Sequence, residues 1–255
     1  MTGITLIKFR LIPVIFFLSL LSSCGIQQAA NGIKQARAGK LNLSHSHLTE
    51  IPSWVFEIPG LRVLNLHDNK IDSIPDEIGK LVNLEKLIVS RNNLTYVSPE
   101  IGKLKKLKKL SLKANKLELL PVEIGQLSSL EELWLSFNRL TFLPVEIGEL
   151  SNLSHLYLEY NQIEFLPNQI GKLENLVHLV IGRNNLQTLP EEFYNLTGLV
   201  ELDLSYAGPK LVIDPKICNF RLLETLYIDV ATLNFAPRCL EIRANSLTRF
   251  SIVIK

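Results

Sequence analysis

The sequence predicts an α/β solenoid, a coil of stacked turns with a parallel concave β-sheet of about ten strands and short helical or irregular turns on the convex side. Three observations predict it. One pattern recurs every 23 residues, in register on Leu61, Leu84, Leu107, Leu130, Leu153, Leu176 and Leu199. Within each copy, leucines alternate with other residues, as in Leu133-Trp134-Leu135, which is the period of a strand with one buried face. Asparagine returns at the same interval, at Asn69, Asn92, Asn115, Asn138, Asn161 and Asn184. Such a unit cannot bury its apolar face alone and is stable only against neighbouring copies.

Composition agrees with a folded domain of ordinary size. Of 255 residues, 47% are apolar and 20% charged, enough to bury one continuous core. The formal net charge of +2 gives no ground for a nucleic-acid partner, and no basic run is interleaved with stacking aromatics.

The chain divides into residues 1–23, a signal segment; 24–40, a polar tether; and 41–255, the repeat domain with degenerate ends. Lys8 and Arg10 precede an apolar run over residues 11–21, then Ser22, Ser23 and Cys24. Basic, apolar, small is the order of a secretory signal, and the run is short for a membrane span. Leu21-Ser22-Ser23-Cys24 also resembles the lipobox of bacterial lipoproteins. That resemblance implies a diacylglycerol-modified Cys24, export, and anchoring in the cell envelope, with the outer membrane or cell surface favoured. Cleavage nearby with release of the protein is the alternative. Gln27, Gln28, Asn31, Gly32 and Gly39 make the next stretch polar enough for a tether.

In the first turn Leu41, Leu43, Leu48 and Ile51-Pro52 keep the pattern, while Ser46 replaces the asparagine and Phe56 the glycine. The regular copies read LxxLxLxxNxLxxLPxxIGxLxx, for example Leu130, Leu133, Leu135, Asn138, Leu140, Leu143, Pro144, Ile147, Gly148 and Leu150. The asparagines are expected to form a ladder that satisfies inward-turned backbone groups. Pro121 with Ile124-Gly125, and its equivalents, shape the convex turn. Near the other end Ala207 replaces the asparagine, and the turn through Lys210 and Asp214 gains one residue. A degenerate turn with Leu223, Leu226, Ile228 and Leu233 follows, then a last strand around Leu247, Phe250 and Ile252.

From Leu41 to about Leu247 these motifs resemble the leucine-rich-repeat family, in particular the 23-residue repeats of bacterial, spirochaete-like lipoproteins. The resemblance implies a leucine-rich-repeat horseshoe that binds a protein ligand on its concave face, a host-derived protein among the candidates. Cys218 and Cys239 fall in successive convex turns. A disulfide between them is geometrically open, with small buried free thiols the preferred reading.

The concave wall is read from the third, fifth, seventh and eighth residue of each repeat. Its middle is aromatic, with Trp134, Phe137, Tyr157 and Tyr160 from adjacent turns and Tyr206 and Tyr227 further on. Clustered aromatics of this kind mark interface hot spots, although cross-strand packing also uses them. Lys86, Arg91, Lys109 and Lys113 lie on the N-terminal side, and Glu159, Glu201, Asp203 and Asp229 toward the other. The lysines at 103, 105, 106, 108 and 109 are expected to be a solvated face, with contact to anionic lipid or polysaccharide as the alternative. Glu132, His155, His178 and Glu201 share the third position of four consecutive turns. Evenly spaced ladder residues do not converge as a tetrahedral metal site requires, so exposed hydrogen-bonding groups are expected there.

No phosphate loop, dinucleotide fingerprint, zinc-protease helix or nucleophile elbow occurs, and no cofactor or metal is expected. The sequence therefore points to a binding protein anchored by its N-terminal lipid, and not to an enzyme. The competing expectation is a structural or adhesion component that self-associates through its C-terminal edge, the chain otherwise being monomeric.

Overall fold

The computed structural model describes Ala36 and residues 39–209, 211–245 and 249–255. The signal segment, Cys24, most of the tether, Lys210 and Leu247 lie outside the described residues.

Among the described residues ten strands form one parallel sheet: β1 (Lys40–Asn42), β2 (Val63–Asn65), β4 (Lys86–Ile88), β6 (Lys109–Ser111), β7 (Glu132–Trp134), β8 (His155–Tyr157), β9 (His178–Val180), β10 (Glu201–Asp203), β11 (Thr225–Ile228) and β12 (Ser251–Ile254). A two-stranded ladder, β3 (Ser73–Ile74) with β5 (Tyr96–Val97), lies outside that sheet. In the main sheet each strand pairs with the next turn at the same repeat position, Leu133 with Leu156 and Leu156 with Leu179. Register is fixed because a one-residue slip would put every leucine on the solvent face.

The leucines and isoleucines of the pattern line a continuous core; Leu84, Leu87, Leu130, Leu133, Leu156 and Leu179 are fully buried. At about 1.5–3 kcal/mol per buried aliphatic side chain, this core is what drives the turns together.

The asparagines close each turn as the repeat predicts. Asn92 Nδ2 donates to the carbonyls of Leu66 in the preceding turn and Val89 in its own, and its Oδ1 accepts from Ile71 N at 3.0 Å. Asn69, Asn115, Asn138, Asn161 and Asn184 repeat this pattern. At Ala207 the side chain is missing and the backbone compensates, with the Ala207 carbonyl accepting from Leu186 N at 2.7 Å.

On the convex side five-residue 3₁₀ segments recur, such as Val122–Gln126 and Val145–Glu149, with Pro121 and Pro144 immediately before them. Proline presets φ there, and a 23-residue turn has room for little more than one such segment. The glycine of the regular segments serves close approach. A Cβ on Gly125 would lie 2.4 Å from the Glu146 carbonyl of the next turn, and one on Gly148 2.4 Å from that of Gln169. Where Tyr194 takes the glycine position, the following turn carries the extra residue and the Tyr194 hydroxyl accepts from Asp214 N at 2.9 Å.

After β11 the chain leaves the repeat for two short helices, α1 (Val230–Leu233) and α2 (Arg238–Ala244), before β12. Asp229 caps α1, accepting from Thr232 N, and its other oxygen accepts from Tyr206 N. This corrects the expectation that Asp229 belongs to the open charged wall, since it is 5% exposed. Cys218 and Cys239 are bridged, with Cα atoms 6.2 Å apart, in place of the free thiols preferred from sequence. Cys239 lies in α2, outside the regular repeat, and meets Cys218 in the preceding convex segment. Among the described residues no helix is long and apolar enough to cross a membrane.

Candidate functional site

The non-leucine strand positions line one wall of the sheet, and side chains from successive turns meet on it. Trp134 and Tyr157 are paired neighbours on β7 and β8, with ring centroids 4.3 Å apart. Both are half-buried, because each covers the other and the strand floor. Trp134 Nε1 donates to Glu132 at 3.0 Å, Glu132 forms an ion pair with Lys109, and the Lys109 ammonium lies over the indole. Burial alone would raise the Glu132 carboxyl, but hydrogen bonds from Lys109 and Trp134 outweigh it and hold the group below the usual carboxylate range. Burial and the nearby carboxylates push the Tyr157 phenol up, so it stays a neutral donor.

Further along the third position, His155 stacks on His178 at 4.6 Å, and His178 Nδ1 meets a Glu201 oxygen at 3.2 Å. Burial, then the adjacent His178, holds the His155 imidazole below its ordinary 6.5. This column thus interacts along its own length. Among the described residues no group of three His, Cys, Asp or Glu side chains lies together as a metal site.

The eighth position has a backbone signature that residue types alone do not reveal. Asp68, Arg91, Ala114, Phe137, Tyr160, Arg183 and Tyr206 all have φ between 55° and 58°. Left-handed backbone costs a non-glycine residue roughly 1–2 kcal/mol, so bulky residues are unusual there. It also turns their side chains outward: Phe137, Tyr160 and Tyr206 are 42%, 42% and 45% exposed. Phe137 stacks on Tyr160 at 4.2 Å, and the Arg183 guanidinium lies between Tyr160 and Tyr206, 5.0 and 4.8 Å from their ring centres.

Beside the aromatic group, a shallow hollow of about 570 Å³ opens over Ser90, Ser111 and Ala114. Arg91, Lys109 and Lys113 stand on its basic side, Trp134 and Phe137 on its aromatic side. A hollow at the convex turns around Glu192 is lined by polar residues without an aromatic.

Other expected site residues fall elsewhere. Asp203 is 6% exposed, bound by Ser205 and by Lys255 Nζ at 2.6 Å, and so is not part of the open wall. Lys255 also lies over the Tyr227 ring at 4.2 Å, so the returning C-terminal strand covers that end of the face. Each lysine of the basic run has a partner: Glu100 for Lys103, Gln126 for Lys105, Asn83 for Lys106, Glu131 for Lys108 and Glu132 for Lys109. Glu159, expected on the acidic side, keeps one buried carboxylate oxygen without a hydrogen bond among the described residues.

With this geometry in place, comparison with known proteins defines the class. The leucine-rich repeat region profile matches residues 41–141 and 133–249, and the chain belongs to the leucine-rich-repeat family. A leucine-rich-repeat protein of Leptospira interrogans is similar at 33% identity and TM-score 0.62, over 84% of this chain and 60% of that one. The chain thus spans about three fifths of the length of that spirochaete protein. The ectodomain of an Arabidopsis thaliana membrane receptor kinase, GASSHO1/SCHENGEN3, solved in complex with Casparian strip integrity factor 2, is 28% identical with TM-score 0.61, over 71% of this chain and 26% of that one. Internalin C2 of Listeria monocytogenes shares the fold at 20% identity and TM-score 0.65, over 79% of this chain and 92% of that one. No curated protein matches the sequence.

Proposed function

We propose that this chain is an exported, lipid-anchored protein that binds a protein ligand, host-derived in its sharpest form, through the concave wall centred on Trp134 and Tyr157. The observation that carries the reading is the aromatic group itself. Trp134, Tyr157, Phe137 and Tyr160 come from two adjacent turns and sit against a basic hollow, the mixture of residue types that dominates interface energetics. The solved complex of the related receptor ectodomain with its factor supports protein recognition by this fold. The reading assigns no catalysis, in keeping with a family of binding scaffolds.

The anchor rests on the order Lys8, Arg10, residues 11–21 and Cys24. Mass spectrometry of the mature N-terminus tests it: a lipid adduct on Cys24 is expected, and an unmodified N-terminus elsewhere contradicts it. The binding wall has a spectroscopic test. The other tryptophan, Trp54, packs against the core away from the patch, and Trp54→Phe leaves Trp134 as the sole indole. Saturating ligand is expected to shift the emission of that variant; an unchanged spectrum at saturation contradicts the site.

A second reading, self-association through β12, is favoured by the exposure of Val253 and Ile254 on a strand whose described partner, β11, covers one edge only. Sedimentation showing a dimer that Val253→Lys abolishes would support it, and a monomer at all concentrations would contradict it.

A further inference from the structure

The left-handed row provides more than hydrophobic area. It presents, in order, an arginine, a small residue, two stacked aromatics and a second arginine held between tyrosines. Both Arg91 and Arg183 are exposed, and among the described residues neither guanidinium has an ion pair. Arg183 is held between Tyr160 and Tyr206 and remains exposed, and a guanidinium so placed is suited to binding a carboxylate in bidentate fashion. At the other end Arg91 shares the hollow with Lys113, whose ammonium lies over Phe137 at 5.2 Å. Lys109, by contrast, is already engaged by Glu132.

The spacing of the two cations is set by the sheet. Arg91 and Arg183 are four turns apart, which at about 4.8 Å per strand is roughly 19 Å. An extended chain advancing about 3.3 Å per residue covers that distance in about six residues. Between the ends, Ala114 leaves room, and Phe137 stacked on Tyr160 offers exposed apolar ring edges. Glu159, the residue before Tyr160, adds a half-buried carboxylate near the middle of the wall, so an acid in the middle of the ligand would be repelled.

We propose that the row from Arg91 to Arg183 clasps an extended peptide segment of the protein ligand bearing two carboxylate side chains about six residues apart, with apolar or aromatic residues between them. This rests on the concave-face reading above and specifies its ligand chemistry.

Labelled synthetic peptides with two glutamates at shorter, matching and longer spacings around a central phenylalanine test it by fluorescence anisotropy on the purified protein. Affinity is expected to peak at the matching spacing and to fall by at least about tenfold in Arg91→Ala or Arg183→Ala, whose circular dichroism should be unchanged. A third glutamate at the centre is expected to weaken binding. The charge-swapped pair, Arg183→Glu with lysine at the corresponding peptide position, should recover affinity lost by Arg183→Glu alone. A flat spacing series, no binding by any of these peptides, or heparin oligosaccharide binding that depends on both arginines while the peptides do not bind, overturns the clasp. If the spacing series is flat but Trp134→Ala with Tyr157→Ala abolishes capture of a protein ligand, the concave-face reading stands without the clasp.

Discussion

A single asparagine side chain joins three backbone groups from two turns. Asn138 donates to the Leu112 and Leu135 carbonyls and accepts from Leu117 N, all in a buried setting. Asn138→Leu leaves those groups unpaired and is expected to cost roughly 1–3 kcal/mol in urea unfolding; a loss within error would contradict the ladder's role. His155 carries a pH consequence. Its folded imidazole titrates below the ordinary 6.5, so the unfolded chain binds the proton first and acid favours unfolding. Stability is expected to be insensitive to this group above 6.5 and to decline as pH falls from there toward the lower folded value. Urea midpoints across that window should flatten in His155→Gln, and an equal slope in both proteins would contradict the assignment. At this scale the asparagines were legible because their spacing shows in the letters. The left-handed eighth position was not, because Asp, Arg, Phe and Tyr carry no common signal of positive φ. Asp203 and Asp229 were misplaced because their burial depends on Lys255 and on α1, which lie outside the repeat's pattern.

Strands and convex segments follow from period and punctuation, and the sequence reading reached them: alternation for the strands, proline and glycine for the turns. What it left undetermined was which physical demand the glycine meets. Gly148 is required by the carbonyl of the next turn 2.4 Å from where its Cβ would be, so Gly148→Ala must push two convex segments apart. A loss of about 1–3 kcal/mol is expected in chemical denaturation, against a smaller loss for Gly198→Ala, whose nearest neighbour is 3.1 Å away. Equal effects at the two sites would contradict the close-approach account. The C-terminal helices and the Cys218–Cys239 bridge were obscured for a related reason. Once the repeat degenerates, the period no longer fixes which convex positions meet.

At the scale of the molecule, stacked turns convert a weak local preference into a wall, since each column gathers one residue from every repeat at a fixed separation. The location of the aromatic group was therefore readable from register alone, but its internal pairing was not. The sharing of Lys109 between Glu132 and the indole, the His155–His178 stack and the Tyr160–Arg183–Tyr206 sandwich all require rotamers that the sequence does not state. The measurement that bears most directly on function is the affinity of an identified protein ligand for two double variants, one on each side of the solenoid. Trp134→Ala with Tyr157→Ala should keep the fold and weaken binding by at least about 2 kcal/mol, roughly thirtyfold, whereas Val122→Ala with Val145→Ala on the exposed convex segments should leave it unchanged. Full affinity in the first variant together with a loss in the second would place recognition on the convex side and contradict the account.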